Sequence, residues 1–258
     1  MTALVTGGSK RLGRAMALAL AEAGHDVAVH YAGSAEEAED TANAIRALGR
    51  RAVTLQADLL DEDATRSLLP RAVEALGQPV TVLVNNASVF EYDNIQSMSR
   101  TSWDRHMESN LRAPVVLTQA LAAQMPPAEP DENGEPQARG LVVNMVDQRV
   151  QKLTPEFMSY TIAKMGLWAF TRTAAQALAP HVRVNAIGPG PTMIGARQSQ
   201  VHFARQRKGT VLGRGADAEG IVQALKYFLT ARAVTGQLIC VDGGQHLAWQ
   251  TPDILGVE

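Results

Sequence analysis

Seven short runs of β-branched and small apolar residues alternate with longer amphipathic runs along the 258 residues of the chain. Strands are predicted at 3–6, 26–30, 52–56, 80–84, 141–145, 182–187 and 237–241, and helices at about 12–23, 35–48, 62–76, 102–124, 157–179 and 216–231. Parallel strands need crossover connections, and these are usually helices. The alternation therefore predicts an α/β fold, a doubly wound, seven-stranded parallel sheet with helices on both faces.

Composition favours one globular domain over 1–258 that binds a small molecule. Hydrophobic residues make up 46% and charged residues 19% of the chain, which supplies a large core, and no repeat or Gly/Ser linker divides it. The net charge of -2 provides no general attraction for nucleic acid or an anionic membrane. The single cysteine, Cys240, excludes an internal disulfide and a cysteine-cluster metal site, so no metal is expected.

The sequence gives no sign of a membrane span or a secretion signal. No stretch reaches the roughly 18 uninterrupted apolar residues that a spanning helix needs. Residues 1–13 enter a strand and a glycine turn directly, without the order of a signal peptide. We therefore expect a cytoplasmic protein with no membrane partner.

Two segments lack a regular pattern. Prolines and charges in 126–140 can neither continue a helix nor build a core, which predicts a surface excursion before the fifth strand. The segment 191–215 is rich in Gly, Gln, Arg and Lys and has no consistent strand or helix signal, so we expect a mobile segment over the site.

A glycine-rich turn follows the first predicted strand and leads into the first helix. It contains Thr6, Gly7, Gly8 and Gly13. Glycines there let backbone amides approach a pyrophosphate at the positive end of the helix, which favours a dinucleotide. The spacing differs from the G-x-G-x-x-G fingerprint, and a tight turn without a ligand remains the alternative.

The end of the second predicted strand carries no carboxylate. An NAD site places an acidic residue there to bind the ribose hydroxyls, whereas this chain has His30, Tyr31 and, three residues later, Ser34. Ser34 can donate to a 2'-phosphate, as can nearby Lys10 or Arg11. The pattern favours NADPH over NADH, although Ser34 can equally cap the second helix.

Polar residues also follow the third and fourth predicted strands. Asp58 is placed to accept a hydrogen bond from the adenine amino group, and 85–87 (Asn-Asn-Ala) would border the adenosine and the nicotinamide ribose. Taken singly, these are ordinary turn residues. Together with the glycine turn, they extend the predicted dinucleotide site along the carboxyl edge of the sheet.

Tyr160 and Lys164 lie four residues apart on a predicted helix and therefore share one face. An ammonium beside the phenol is expected to lower its pKa from about 10. The pair alone would equally suit an exposed helix face. Asp147, which follows the fifth strand, and the Pro189-Gly190 turn, which follows the sixth, are expected to converge with it where such sheets bind ligands.

Over essentially its whole length the sequence resembles the short-chain dehydrogenase/reductase family. The matching motifs are TGGSKRLG (6–13), Asp58, NNAS (85–88), Asn110, YTIAK (160–164), RVNAIGPG (183–190) and VDGG (241–244). The resemblance implies a Rossmann-type domain in which Tyr160 is the acid/base group and Lys164 binds the nicotinamide ribose and lowers the tyrosine pKa. Asn110 would help to hold a proton-relay water. It also implies a homotetramer built on the long fourth and fifth helix patterns.

The resemblance implies a cofactor site as well. Its residues would be Gly7, Lys10, Arg11, Leu12, Gly13, His30, Tyr31, Ser34, Asp58, Leu59, Asn86, Ala87, Ser88, Tyr160, Lys164, Pro189 and Gly190.

Two departures from the general family pattern resemble the pteridine reductase branch. Arg11 replaces the middle glycine of the first motif, and Asp147 replaces the usual catalytic serine. In that branch the arginine faces pyrophosphate and pterin, the Ser88 position contacts cofactor and substrate, and the Phe90 position stacks the pterin against nicotinamide. The aspartate partners the tyrosine in proton delivery. The implied substrate-binding residues are Arg11, Ser88, Phe90, Asp147 and Tyr160. Gly33 departs from the branch, which often has an arginine there.

Physical reasoning agrees with a pterin substrate. A pterin is flat and electron-poor, so an aromatic ring and a guanidinium suit it, and Phe90 and Arg11 supply these. Reduction of a ring C=N needs a hydride at carbon and a proton at nitrogen, and Asp147 with a raised pKa beside Tyr160 can help to deliver that proton. The alternatives are a core position for Phe90, phosphate binding alone for Arg11, and a capping role for Asp147.

One basic cluster has two interpretations. Its members are Arg197, His202, Arg205, Arg207 and Lys208. They can clamp an anionic substrate tail, but a solvated charged face is the default.

The sequence thus predicts an NADPH-dependent reductase of a pterin, a dihydropterin or a similar heterocycle. Two alternatives stay open. One is a ketone or sugar reductase with an aspartate in the serine position. The other is a nucleotide sensor or scaffold with little turnover.

Overall fold

The computed structural model describes residues 1–194 and 198–250. The strands are β1 (Thr2–Val5), β2 (Asp26–Tyr31), β3 (Ala52–Gln56), β4 (Val80–Asn85), β5 (Glu129–Pro130), β6 (Pro136–Gln137), β7 (Gly140–Met145), β8 (Val182–Pro189) and β9 (Leu238–Val241). The α-helices are α1 (Arg11–Glu22), α2 (Ala35–Ala47), α3 (Glu62–Leu76), α4 (Arg100–Met107), α5 (Ala113–Gln124), α6 (Met158–Leu178), α7 (Gln200–Lys208) and α8 (Ala218–Thr230).

Seven of these strands form one parallel sheet in the order β3-β2-β1-β4-β7-β8-β9. This confirms the predicted doubly wound architecture. β1 and β4 are neighbours in the sheet but not in the chain, and the strand order reverses between them. Such a switch opens a crevice beyond the carboxyl ends of the strands, where α/β sheets bind ligands.

The core consists of two apolar layers, one on each face of the sheet. Alternate strand residues point to opposite faces, so Val5 belongs to one layer and Leu4 to the other. The first layer packs against α1, α2 and α8, with Met16 and Phe228 fully buried. The second packs against α3, α5 and α6, with Leu117 among its buried residues. This rigid sandwich fixes the strand ends that carry the site.

The helix predicted over 102–124 differs from the structure in its start and its regularity. α4 begins at Arg100 because Ser99 forms a capping box with Ser102. A π-helical turn, Glu108–Arg112, then joins α4 to α5. The hydrogen bonds of a π-helical turn span five residues and not four, which gives no signal in the apolar periodicity, and such turns occur frequently at functional sites.

The two segments without a pattern contain short elements. In 126–140 the strands β5 and β6 form a small exposed hairpin, in agreement with the predicted surface excursion. In 191–215, where the sequence has no consistent helix signal, α7 begins after the capping Ser199, and the expected mobility of this segment stays a prediction. α7 has no buried residue, so it lacks the apolar stripe by which amphipathic helices are recognised.

No helix within the described residues is long and apolar enough to cross a membrane. Nor does that part of the chain contain a group of three or more His, Cys, Asp or Glu side chains that could hold a metal ion. Burial raises the pKa of the Cys240 thiol to about 11, which suits a packing role.

Candidate active site

The glycine turn after β1 depends on close backbone packing. Gly7 has φ +60°, and a Cβ on Gly13 would lie 2.0 Å from the Gly7 carbonyl oxygen. Thr6 Oγ1 accepts from the backbone N–H groups of Asn86 and Ala87 at 2.9 and 3.0 Å, and Asn86 Nδ2 donates to the Thr6 and Gly7 carbonyls. The turns after β1 and β4 therefore form one unit at the switch point.

His30 supports this unit from below. It is 1% exposed. Its Nδ1 accepts from the Gly7 N–H at 3.0 Å, so Nε2 carries the proton and donates to the Ala57 carbonyl at 3.1 Å. Burial lowers the pKa of His30 to about 4, which keeps the ring neutral. The side chain thus positions the glycine turn, and its predicted contact with cofactor stays a prediction.

The end of β2 is open and lacks a carboxylate at 30–34. Ser34 is the residue before α2, yet among the described groups its hydroxyl makes no capping hydrogen bond. The Ser34 hydroxyl is therefore available to a ligand. Lys10 pairs with Glu37 of the first turn of α2 at 3.5 Å, on the surface. Tyr31 is half-buried and Gly33 is exposed.

Two residues of the turn after β3 were predicted to contact the cofactor, and only one of them has an exposed side chain. Asp58 is exposed, and its Oδ1 accepts from the Leu60 N–H at 3.0 Å. Leu59 is buried in the core, so only its backbone can face a ligand. At the far side of the crevice, Gly190 packs so closely that a Cβ would lie 2.5 Å from the Asp242 Cβ.

Asp147 and Tyr160 meet at the carboxyl end of the sheet. The phenol of Tyr160 donates to Asp147 Oδ2 at 2.9 Å. Lys164 is 2% exposed, and its Nζ donates to the Met145 carbonyl at 2.7 Å while lying 5.7 Å from the centre of the Tyr160 ring. Asp147 also accepts from the Arg149 N–H and caps a short 3₁₀ turn, Gln148–Val150. The capping role therefore exists together with the tyrosine contact.

Burial controls the charges of this group. It raises the pKa of Asp147, and together with the Asp147 carboxylate it raises that of Tyr160 well above its usual value. It lowers the pKa of Lys164 to about 8. The expected fall of the Tyr160 pKa beside Lys164 is therefore wrong in direction, because removal from water and the adjacent Asp147 carboxylate raise it.

Asn110 lies in the π-helical turn and holds the loop after β4. Its Oδ1 accepts from the Val89 N–H at 2.9 Å, and its Nδ2 donates to the Val89 carbonyl at 2.8 Å. Val89 separates Ser88 from Phe90, so the amide fixes both neighbours. The Ser88 hydroxyl donates to the Val89 carbonyl at 3.3 Å, and its proximity to Tyr160 partly opposes the rise of the phenol pKa.

Phe90 belongs to an exposed aromatic group and not to the core. It is 48% exposed, which excludes the core interpretation. Its ring stacks on Phe157 at 4.4 Å with an interplanar angle of 9°, and it meets Tyr160 edge-on at 4.7 Å. Phe157 has φ +56°, a left-handed conformation that is costly for a bulky residue and concentrates at functional sites.

Arg11 faces the segment that follows β8. It has φ +55°, which explains why this position commonly suits glycine. Its Nη1 donates to the Ile194 carbonyl at 2.7 Å and its Nη2 to the Met193 carbonyl at 3.1 Å. The guanidinium therefore spans the mouth of the crevice between the cofactor turn and this segment.

These side chains line one pocket of about 330 Å³, within the range of small-molecule sites. Its wall includes Arg11, Leu12, Asn86, Ser88, Phe90, Asp147, Gln148, Arg149, Tyr160, Lys164, Pro189 and Gly190. Sequence reasoning missed Gln148 and Arg149. Their position directly after Asp147 was the available signal.

The basic cluster does not act as a unit. Arg197 lies outside the described residues. His202, Arg205 and Lys208 are exposed on α7, as the solvated-face interpretation expects. Arg207 instead donates to the Pro191 carbonyl at 2.9 Å and to those of Gly215 and Ala216, which ties α7 to the segments on either side of it.

The sequence analysis also did not predict a buried polar network next to Tyr160. His106 Nε2 accepts from the Glu91 N–H at 3.1 Å, so Nδ1 carries the proton toward Ser159 Oγ at 2.7 Å. Ser159 Oγ donates to Asp93 Oδ2, and its N–H donates to Asp93 Oδ1 at 3.1 Å. The network joins α4, the loop after β4 and the start of α6.

A family model described as short chain dehydrogenase matches residues 1–204. The chain belongs to the short-chain dehydrogenase family. FolM alternative dihydrofolate reductase 1 from Brucella canis, solved as a complex with NADP, is 45% identical with a TM-score of 0.90, over 98% of this chain and 96% of that one. A short-chain dehydrogenase from Burkholderia cenocepacia, also with NADP, is 30% identical with a TM-score of 0.85, over 95% and 97%.

A curated relative has a different substrate. The 3-oxoacyl-acyl-carrier-protein reductase FabG of Staphylococcus epidermidis is 31% identical over 252 residues, covering 95% of this chain and 99% of that protein. Membership of this family makes the chain an oxidoreductase. The similar proteins leave two substrate classes to be separated.

Proposed function

We propose that this chain is an NADPH-dependent reductase of a pterin, a dihydropterin or a closely similar heterocycle. The observation that carries the proposal is the hydrogen bond of 2.9 Å between Asp147 and Tyr160 in a pocket lined by Phe90 and Arg11. A buried carboxyl group beside the phenol suits protonation of a ring nitrogen. The likeness to the FolM structures supports the same substrate class.

The residues present suit NADPH. The turn at Gly7 brings backbone N–H groups to the start of α1, where a pyrophosphate is favoured. The Ser34 hydroxyl is available near the end of β2, where no carboxylate would repel a 2'-phosphate. When bound, NADPH supplies the hydride. The chain's task is to orient the substrate and to deliver one proton.

Tyr160 is the proposed proton donor. Its raised pKa keeps the phenol protonated at neutral pH, and its hydroxyl faces the pocket beside Ser88. Once Tyr160 has given its proton to the ring nitrogen, Asp147 can take up a proton from solvent and pass it to the phenolate, because burial raises the pKa of this carboxyl group. Lys164, held by the Met145 carbonyl, supplies positive charge that stabilises the transient phenolate.

A carbonyl reductase is the second candidate, and the likeness to FabG favours it. A carbonyl needs one proton at oxygen, which Tyr160 alone can supply. Asp147 would then have no special task. The two candidates therefore differ in their need for Asp147.

The test is NADPH oxidation by the purified protein with dihydrobiopterin, dihydrofolate and a 3-oxoacyl thioester, with NADH in parallel. We expect turnover of at least one dihydropterin with NADPH and much slower turnover with NADH. Reduction of the thioester alone would establish the carbonyl reductase. Tight NADPH binding without turnover of any compound would favour a nucleotide sensor.

We further propose a homotetramer. α6 exposes Ile162 and Met165, three residues apart and so on one face. Apolar side chains on a long helix are suited to a symmetric contact with the same helix of a second copy. The proposed interface would then involve α6, the helix that also carries Tyr160 and Lys164.

A further inference from the structure

The charges lining the pocket are unbalanced. Among the described residues its wall contains three cations, Arg11, Arg149 and Lys164, and one carboxylate, Asp147. Arg11 donates to two backbone carbonyls of the segment after β8, and Lys164 donates to the Met145 carbonyl beside Tyr160. Both belong to the cofactor and proton-transfer side of the site. The Arg149 backbone N–H donates to Asp147, but its guanidinium is hydrogen-bonded to Thr154, away from both groups.

Arg149 is held in place, and within the described residues it forms no ion pair. Its Nη1 donates to Thr154 Oγ1 at 2.7 Å, and its guanidinium lies 5.0 Å from the centre of the Phe157 ring. No carboxylate of the described residues lies within ion-pair distance of it. Stacking uses the face of a guanidinium and leaves its edge donors free, so Arg149 retains N–H groups for a ligand.

An aromatic wall leads from the reacting group to this guanidinium. The Tyr160 ring meets Phe90 at 4.7 Å, Phe90 stacks on Phe157 at 4.4 Å, and Phe157 lies under Arg149 at 5.0 Å. The left-handed backbone at Phe157, φ +56°, turns its ring into this row. A flat ring reacting at Tyr160 would therefore have an apolar surface beside it, and a positive charge at the far end of that surface.

We propose that Arg149 binds a carboxylate on the tail of the substrate, so that the site takes a dihydropterin with an acidic side chain in preference to one with a neutral side chain. This inference rests on the proposed pterin reductase and narrows its substrate class. The charge-assisted bond from guanidinium to carboxylate supplies affinity, and the Phe90–Phe157 surface accommodates the apolar part of the tail.

Arg149 could act instead through Asp147, whose pKa it lowers by donating its N–H and by its charge. The two roles differ in what they change. An electrostatic effect on Asp147 alters kcat for every pterin, since all share the proton-transfer step. A tail contact alters the discrimination between acidic and neutral substrates.

The experiment compares kcat and KM for dihydrofolate, which carries a glutamate tail, and dihydrobiopterin, whose side chain is neutral. Arg149→Met removes the charge and keeps much of the apolar stem, and Arg149→Lys restores the charge. Arg172→Met is the control, because Arg172 stacks on Trp168 at 4.9 Å outside the pocket. In Arg149→Met we expect the ratio of kcat/KM for dihydrofolate to that for dihydrobiopterin to fall roughly tenfold, chiefly through KM.

Arg149→Lys should recover much of that ratio, and Arg172→Met should leave it unchanged. Added salt should raise the wild-type KM for dihydrofolate and have less effect on Arg149→Met. A ratio that stays within twofold of wild type in Arg149→Met, or a wild type that reduces only dihydrobiopterin, overturns the tail contact and leaves the pterin reductase standing. Failure of the wild type to reduce either pterin overturns both.

Discussion

Asp147 and Tyr160 share a hydrogen bond in surroundings that disfavour charge on either side chain. Replacing Tyr160 with Phe removes the proton donor and keeps the ring that meets Phe90. We expect Tyr160→Phe to bind NADPH nearly as wild type does and to lose turnover by about 10²- to 10⁴-fold. Fluorescence titration with NADPH and steady-state kinetics would measure the two quantities. Unchanged turnover would exclude Tyr160 as the donor.

Asp147→Ser separates the two candidate functions. Serine can still hydrogen-bond the phenol, as in the general family pattern, but it cannot return a proton. We expect pterin reduction to fall by about tenfold or more and carbonyl reduction to change little. Parallel kcat/KM measurements on dihydrobiopterin and a 3-oxoacyl thioester would show this, and equal losses on both would contradict a special role at ring nitrogen.

His30 makes stability depend on pH. Its pKa is about 4 in the folded protein, below the usual 6.5, so the unfolded chain binds the proton first as pH falls. The stabilisation is complete above pH 6.5 and is lost toward pH 4, by roughly 3 kcal/mol. Urea unfolding of wild type and His30→Gln over this range should show a steeper loss for wild type. Equal slopes would mean that His30 is not buried as a neutral ring.

At the residue scale, motif matching found the groups with a fixed chain spacing and missed those brought together by folding alone. Asp147, Tyr160 and Lys164 were identified because one helix and one strand end carry them. Arg149 was missed because its contact with Phe157 depends on a left-handed backbone at Phe157, which has no signature in the sequence. Burial likewise reversed the expected direction of the Tyr160 pKa.

At the scale of elements, α6 is capped from a distant part of the chain. Phe157 precedes it and has no side-chain oxygen to cap it, whereas Asp93 accepts from the Ser159 N–H and Oγ. The same aspartate thereby ties the Phe90 loop to the helix of Tyr160. No local pattern predicts such a cap, just as none predicted the π-helical turn that holds Val89 through Asn110.

Asp93→Ala should therefore cost both stability and turnover. We expect a loss of about 1–3 kcal/mol from the unpaired buried donors, and a lower kcat because the Phe90 loop is no longer tied to Tyr160. Asp61→Ala is the matched control, since Asp61 caps α3 through the Asp63 and Ala64 N–H groups without contact with the active site. Asp61→Ala should lower stability and preserve kcat, and the same behaviour in Asp93→Ala would restrict Asp93 to a structural role.

At the scale of the whole molecule, alternation of strands and helices was enough to predict the sheet, because a parallel sheet buried on both faces needs strongly apolar strands and crossover helices. The strand order was not predicted, and α7 was missed because a helix without a buried face leaves no periodic signal. The oligomeric state depends on surface residues, and these do not follow the apolar pattern that buried strands and helices must have.

The exposed pair on α6 makes the proposed assembly testable. A homotetramer of 27.6 kDa chains has a mass of about 110 kDa. Ile162→Asp places a charge on the proposed contact, so we expect sedimentation velocity to show dissociation to dimers or monomers, with lower thermal stability that depends on protein concentration. Leu48→Asp is the control, because Leu48 is similarly exposed at the end of α2, where no contact is proposed. A wild-type mass of 27.6 kDa, or the same degree of dissociation in both variants, would exclude α6 from a subunit interface. Dissociation of Ile162→Asp alone would place the subunit contact on the helix that carries Tyr160 and Lys164.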